Sequence, residues 1–212
     1  FNPNVITESN IVLLKKAGLY RAEVGIQSAV DHTRKEIYLR SETIEKFLEI
    51  DRMLTSHGIF RQYDFLVGHP WEDAEERKKI FFLLKKCKLP IPYINFHSLL
   101  LFPGTALEAR AVNEGFIDRQ ENFQELVCKT SQMRQKVQWR LGPPDENDVF
   151  KTYWTMLALM LQRKNPFFWI CATILACPLV ARQRSVAKWI PKIELFAKRL
   201  RRNILCRFIK KV

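Results

Sequence analysis

The sequence predicts an α/β fold. It reads as a parallel sheet from about three βα units, which is half of a six-unit (β/α)6 barrel or part of an open sheet, followed by a helical, basic C-terminal region. Three observations carry this. Apolar runs of strand length alternate with amphipathic stretches of ten to fifteen residues, the pattern of right-handed βαβ units. Each run changes character at its carboxyl end, to Gln27-Ser28, to Gly68-His69-Pro70 and to Phe102-Pro103-Gly104-Thr105, where ligands sit in such sheets. The net charge of +13 is confined to the end of the chain: residues 151–212 carry fourteen Lys and Arg against the one acid Glu194, while residues 1–150 balance at 21 and 21.

The elements follow in order. Residues 8–17 (ESNIVLLKKA) place Ile11, Leu13 and Leu14 behind a Ser9/Asn10 cap signal and stop at Gly18, a helix. Tyr20 to Ile26 is a short strand. From Ser41 a second helix sets Ile44, Phe47, Leu48 and Leu54 on one face and ends at Gly58. IFRQYDFLVG, 59–68, is the second strand, broken by HPW. A third helix runs from about Glu72 to Lys86, acids in its first turn and lysines in its last, matching the helix dipole. YINFHSLLLF, 93–102, is the third strand. Helical, mixed-charge sequence then runs to about 140, interrupted at Gly115 and stopped by Gly142-Pro143-Pro144.

A composition break follows. FKTYWTMLALMLQRKN is a further helix, and PFFWICATILACPLVA, 166–181, is sixteen residues without a charge. Spanning a bilayer takes roughly 20 apolar residues, so this run, with Pro178 inside it, is expected to form a buried hairpin, a re-entrant piece or an interfacial anchor. The last stretch places Trp189, Ile193, Phe196, Leu200, Ile204 and Phe208 at helical spacing among lysines and arginines. Such a helix suits an anionic membrane surface or packs on the domain with its charges solvated. Its 3.6 period hides the aromatics on one face, which argues against nucleic acid, where bases stack beside the charges. Domains are therefore expected at 1–117, with a helical extension and linker at 118–150 and an apolar, basic tail at 151–212. No signal peptide or repeat is apparent. A start at Phe1, in mid-element, predicts a piece of a longer chain. Five cysteines with no short repeated spacing predict reduced, space-filling thiols of a cytoplasmic protein, with no metal site in this chain.

The strand ends offer a constellation. Gly25 lets backbone or ligand approach closely, and Gln27 and Ser28 bring polar groups to the mouth. Asp64 interrupts an apolar strand four residues before Gly68; a buried carboxylate there needs a partner such as a ribose hydroxyl, an ammonium or an arginine, and Arg40 is a candidate. Singly, Gln27 also reads as a helix cap, Asp64 as solvent-facing and Arg40 as surface.

Taken in order, LLKKAGLYRAEVGIQSAVD, YDFLVGHPWED and LLLFPGTALEA resemble the second half of a radical S-adenosylmethionine enzyme barrel, over about residues 5–117. The resemblance implies that Gln27 and Ser28 help hold the ribose and methionine of S-adenosylmethionine. It implies that Asp64 faces the same cofactor and that Arg40 lies close to a cofactor-binding arginine of some branches. Gly68 and Pro70 match the turn after the fifth strand, and Pro103, Gly104 and Thr105 the turn near the adenine. His69 replaces the usual leucine and Trp71 the usual glycine, which makes His69 a candidate substrate-side acid, base or metal ligand. The family's CxxxCxxC, ligand set of the 4Fe-4S cluster, is absent and expected upstream.

The chain alone is thus expected to be inactive. With the missing half and a reductant protein, the parent would generate a 5'-deoxyadenosyl radical to modify its substrate. The helical, apolar and basic ending looks like the branch with an upstream cobalamin-binding domain, whose substrates include lipids and tetrapyrroles. A peripheral site on the inner face of the membrane follows from that ending. The rival readings are a non-catalytic partial barrel anchored to a membrane or partner, and an unrelated TIM-barrel lyase with Asp64 and His69 as acid and base.

Overall fold

A computed structural model describes residues 3–120, 149–183, 185–187 and 189. Residues 121–148 of the expected extension, and the whole stretch after Trp189 expected to form a basic helix, lie outside the described residues. A turn of 3-10 helix at Pro3–Val5 leads into helix α1, Glu8–Lys16. Its cap is Thr7, whose hydroxyl accepts from Asn10 N at 3.3 Å, and not the Ser9/Asn10 pair expected from composition. Strand β1 is Arg21–Gln27, α2 is Ile44–Ser56, β2 is Phe60–Val67, α3 is Ala74–Lys85 and β3 is Tyr93–Ser98.

A short π-helical turn, Thr33–Ile37, follows β1 without a side-chain cap, while α2, α3 and the helix after β3 each start on a side chain that accepts from a free N–H. Thr43 accepts from Lys46 N at 3.2 Å, Asp73 from Glu76 N at 2.8 Å, and Thr105 from Glu108 N at 3.2 Å at the start of α4, Ala106–Asn113. Gly18, Gly58 and Gly115, at the ends of α1, α2 and α4, take the positive φ that stops a helix. The third strand is shorter than the apolar run: it ends at Ser98, and Leu99 to Gly104 form the loop that carries its last apolar residues to α4.

The three strands form one parallel sheet in the order β1-β2-β3. Alternation divides its side chains. Val24, Ile26, Tyr63, Phe65, Ile94 and Phe96 are fully or nearly fully buried, in one core with Phe47, Ile50 and Leu54 of α2 and Ile80, Phe81 and Leu84 of α3. Against the outer side of α3 packs α5, Val149–Met160, with Trp154 5.8 Å from the Phe81 ring and Leu157 fully buried. Helix α6, Pro166–Leu175, and the single turn α7, Pro178–Ala181, continue from there. Residues 166–181 are thus two helical pieces, and the expected buried hairpin is corrected by their exposure: Phe167, Ile170, Ile174 and Leu179 are all exposed. No helix among the described residues is long and apolar enough to cross a membrane.

Candidate functional site

The second face of the sheet is polar, and register assembles it. Glu23, Gln62 and Tyr93 stand in one row across the three strands, and Gly25, Asp64 and Asn95 in the next. Asp64, only 8% exposed, sits at the centre of this face. Its Oδ1 accepts from Asn95 Nδ2 at 2.8 Å and from Gln62 Nε2 at 3.2 Å, and His97 Nε2 stands 3.6 Å away. Gln62 in turn accepts from Arg21, whose guanidinium lies 5.6 Å from the Phe60 ring centroid and 5.7 Å from that of Tyr93. Glu23 completes the cluster from β1. A hydrogen bond shared with Asp64, then burial, then the Asp64 charge hold its carboxyl above the ordinary 4.5. Two carboxyl groups side by side, flanked by the Gln62 and Asn95 amides, bring negative charge and hydrogen-bonding groups of the kind that meet a cation or a hydroxyl-rich ligand.

The mouth of β1 is built around Gly25. The strand register slips between Gly25 and Gln27, and Gln27 takes a φ of 65°, outside the usual range for a non-glycine residue. This turns its side chain back: a Cβ at Gly25 would lie 2.4 Å from Gln27 Nε2. At Gly25 the Gln27 amide takes the space that a side chain would fill. Arg40 approaches from the following loop, its Nη1 3.4 Å from the Gly25 carbonyl. Its ionic partner is Glu42 rather than Asp64, which corrects the expected pairing. That loop is tied down by the buried Arg34, which donates to the carbonyls of Ser28 at 2.9 Å and Glu42 at 3.2 Å and pairs with Asp31.

Ser28 belongs elsewhere. It is fully buried, accepts from Val30 N at 2.9 Å and donates to Glu76 of α3, on the helical side of the strand ends. Thr33 donates to the other Glu76 oxygen at 3.1 Å, and His69 Nε2 stands 3.2 Å from it. Burial alone would raise the Glu76 carboxyl, but the close approach of the His69 ring, with hydrogen bonds from the Ser28 and Thr33 hydroxyls, brings it below the ordinary 4.5. His69 is 3% exposed, edge-on to Tyr38 at 5.9 Å, and neither of its ring nitrogens makes a hydrogen bond among the described residues. Serine, acid and histidine meet here in the wrong order for nucleophilic catalysis, since the carboxylate stands between the other two. The expectation of His69 at an open mouth is therefore corrected to a closed network.

The remaining sequence candidates lie at the turns. Gly68 has a φ of 74° and donates its N–H to Glu72 Oε2 at 2.6 Å, while Arg77 clamps the same carboxylate. Pro103 and Gly104 form an exposed turn before α4, five residues beyond the end of β3. Trp71 donates to Glu114 and stacks under Arg110 at 4.8 Å, tying the β2 mouth to α4. Sequence reading thus found Gly25, Gln27, Arg40 and Asp64, which come together. It missed Glu23, Gln62, Asn95 and His97, whose signal was a pair of polar residues two apart in each strand: Arg21 and Glu23, Gln62 and Asp64, Asn95 and His97. Among the described residues no three His, Cys, Asp or Glu side chains stand together as a metal site. No protein-family model matches the chain, and a search of curated proteins finds no match either.

Proposed function

We propose that the polar face of the sheet is the cofactor wall of a radical S-adenosylmethionine barrel, of which this chain forms the second half. The observation that carries the reading is the buried Asp64 in the middle strand, in register between Gly25 and Asn95, with the Gln27 amide folded over Gly25. Parallel sheets ordinarily cover both faces with apolar layers. A polar face fits the interior of a closed barrel, where a ligand supplies the cover.

The donor set suits part of S-adenosylmethionine. Asp64 and Glu23 offer acceptors for ribose hydroxyls and negative charge for the sulfonium or ammonium, and Gln27 offers an amide donor and acceptor. Ser28, satisfied by Glu76, and the exposed Pro103-Gly104 turn add nothing to this face in the geometry described. Arg40 is assigned to shaping the β1 end through the Gly25 carbonyl. Beside a reduced iron–sulfur cluster, whose ligands the proposal assigns to sequence outside this chain, the bound cofactor would supply hydrogen abstraction from substrate. This chain's residues would bind and orient it. A lipid-like or tetrapyrrole-like substrate, a cobalamin partner domain and a reductant protein belong to the same proposal.

The anchored, non-catalytic reading has one observation in its favour, the exposed apolar side of α6. The lyase reading needs Asp64 and His69 on one substrate. It gains no support from a buried His69 held against Glu76 and an Asp64 held against Asn95 and Gln62.

Calorimetry of S-adenosylmethionine with the anaerobically purified full-length protein tests the proposal. Asp64→Ala is expected to weaken binding by at least about tenfold, the worth of one charged hydrogen bond. Unchanged affinity, or a full-length protein that is colourless and binds no cofactor, would overturn it.

A further inference from the structure

Helix α6 packs Ala172, Trp169 and Leu175 toward the domain and turns three other large apolar side chains outward. Ala172 and Ala176 are buried beneath it, and the Tyr153 hydroxyl of α5 donates to the Leu175 carbonyl at 2.5 Å, fixing which side faces the domain. On the other side Phe167, Ile170 and Ile174 are 62%, 59% and 60% exposed, and Leu179 in the next turn is 81% exposed. Spacings of three and four residues make the first three one stripe. A solvent-facing helix ordinarily carries charges on such a stripe, and contiguous exposed apolar patches mark an interaction surface.

Charge identifies what covers it. From Val149 to Trp189 the sequence has no Asp or Glu, while Lys and Arg occur at 151, 163, 164, 182, 184 and 188. Lys164 before α6 and Arg182 after α7 are both exposed and bracket the stripe. A second copy seated on this patch would set those cations against their own duplicates with no acid to offset them. Residues 190–212 hold eight basic residues and only Glu194, so they too are a poor electrostatic cover. Apolar side chains flanked by cations match the boundary between the acyl chains and the anionic headgroups of a bilayer.

We propose that α6 and the turn into α7 dock in the plane of an anionic membrane, with Phe167, Ile170, Ile174 and Leu179 entering the acyl boundary and Lys164 and Arg182 at the headgroups. A ten-residue helix is about 15 Å long, half the hydrocarbon thickness of about 30 Å, so it lies in the surface and does not span it. The surface uses no residue of the polar sheet face, so its failure and that of the cofactor reading are separate results.

Co-sedimentation of the full chain with vesicles of phosphatidylcholine alone, and of phosphatidylcholine mixed with phosphatidylserine, tests it. Binding is expected to be at least about tenfold tighter to the mixed vesicles and to weaken with added salt. The double variant Ile170→Glu, Ile174→Glu is expected to lose it by a similar factor with unchanged circular dichroism. The charge variant Lys164→Glu, Arg182→Glu, whose apolar stripe is intact, is expected to lose the preference for phosphatidylserine. Equal binding to both vesicles, binding retained in the first variant, or a wild-type dimer that the first variant breaks without any vesicle binding would each overturn the proposal.

Discussion

Beside the buried Asp64, the exposed Glu23 of β1 adds a second acid to the sheet face. Its carboxyl is held above its ordinary value by the hydrogen bond to Asp64, by burial and by the neighbouring charge. For an acid so raised, the folded state binds the proton more tightly than the unfolded chain. Stability is therefore highest below the raised value and is lost as pH rises through it. Binding of a cation runs the other way, because an ionised Glu23 adds negative charge beside Asp64. Affinity for S-adenosylmethionine, measured by calorimetry across the acid range, is expected to rise with pH through the titration of Glu23. In Glu23→Gln that pH dependence flattens; a wild-type profile already flat would separate Glu23 from the site. Asp64 was legible in the sequence because a lone acid in an apolar strand is conspicuous. Glu23, between Ala22 and Val24 and two residues from Arg21, has the look of an ordinary polar strand position, and only strand register, which pairs it with Gln62, sets it diagonally beside Asp64.

At the scale of the element, the end of β1 is a device made by its sequence order. Gly25, a register slip and a left-handed Gln27 fold the amide back over the strand. The atom that a Cβ at position 25 would meet is the far end of a flexible side chain, so the fold can absorb Gly25→Ala by moving Gln27. The cost in stability is expected to be about 1 kcal/mol or less, as for ordinary surface changes. The Gln27 amide must leave its place, so cofactor affinity is expected to fall as much as in Gln27→Ala. Urea unfolding and calorimetry on the two variants check this: equal losses of affinity with little loss of stability support the device. Full affinity in Gly25→Ala would show that the folded-back amide has no part in binding. The strands and helices themselves were readable from period and punctuation, since Thr43, Asp73, Gly18 and Gly58 sit where caps and stops are needed. The third strand was read too long because Leu99 to Phe102 keep its apolar character after the pairing ends. The side that α6 presents to solvent was unreadable, because a run without charges has no polar stripe to set its rotation.

For the whole molecule, one buried ionic centre ties the layers together. Asp51 of α2, 2% exposed, accepts from Arg61 of β2, from the Tyr63 hydroxyl at 2.5 Å and, through its second oxygen, from Lys88 N at 2.9 Å. Arg61 also donates to the Pro90 carbonyl at 3.0 Å, so helix, strand and the connection from α3 to β3 converge on one carboxylate. Burial and then the Asp51 charge hold the Tyr63 phenol well above its ordinary 10.0, which keeps it protonated and donating. Removing one partner of such a centre leaves Arg61 charged, nearly buried and unpaired, and costs about 3–5 kcal/mol. In a chain of this size, about 2–4 °C of melting temperature is lost per kcal/mol, so Asp51→Ala is expected to melt roughly 6–20 °C lower. The double variant Asp51→Ala, Arg61→Met removes the stranded charge with its partner, and should recover a large part of that loss. Calorimetric melting of both variants beside the parent checks the pair. A double variant no more stable than Asp51→Ala would mean that the centre holds the layers through its hydrogen bonds to Tyr63, Lys88 and Pro90, and not through the balance of the two charges.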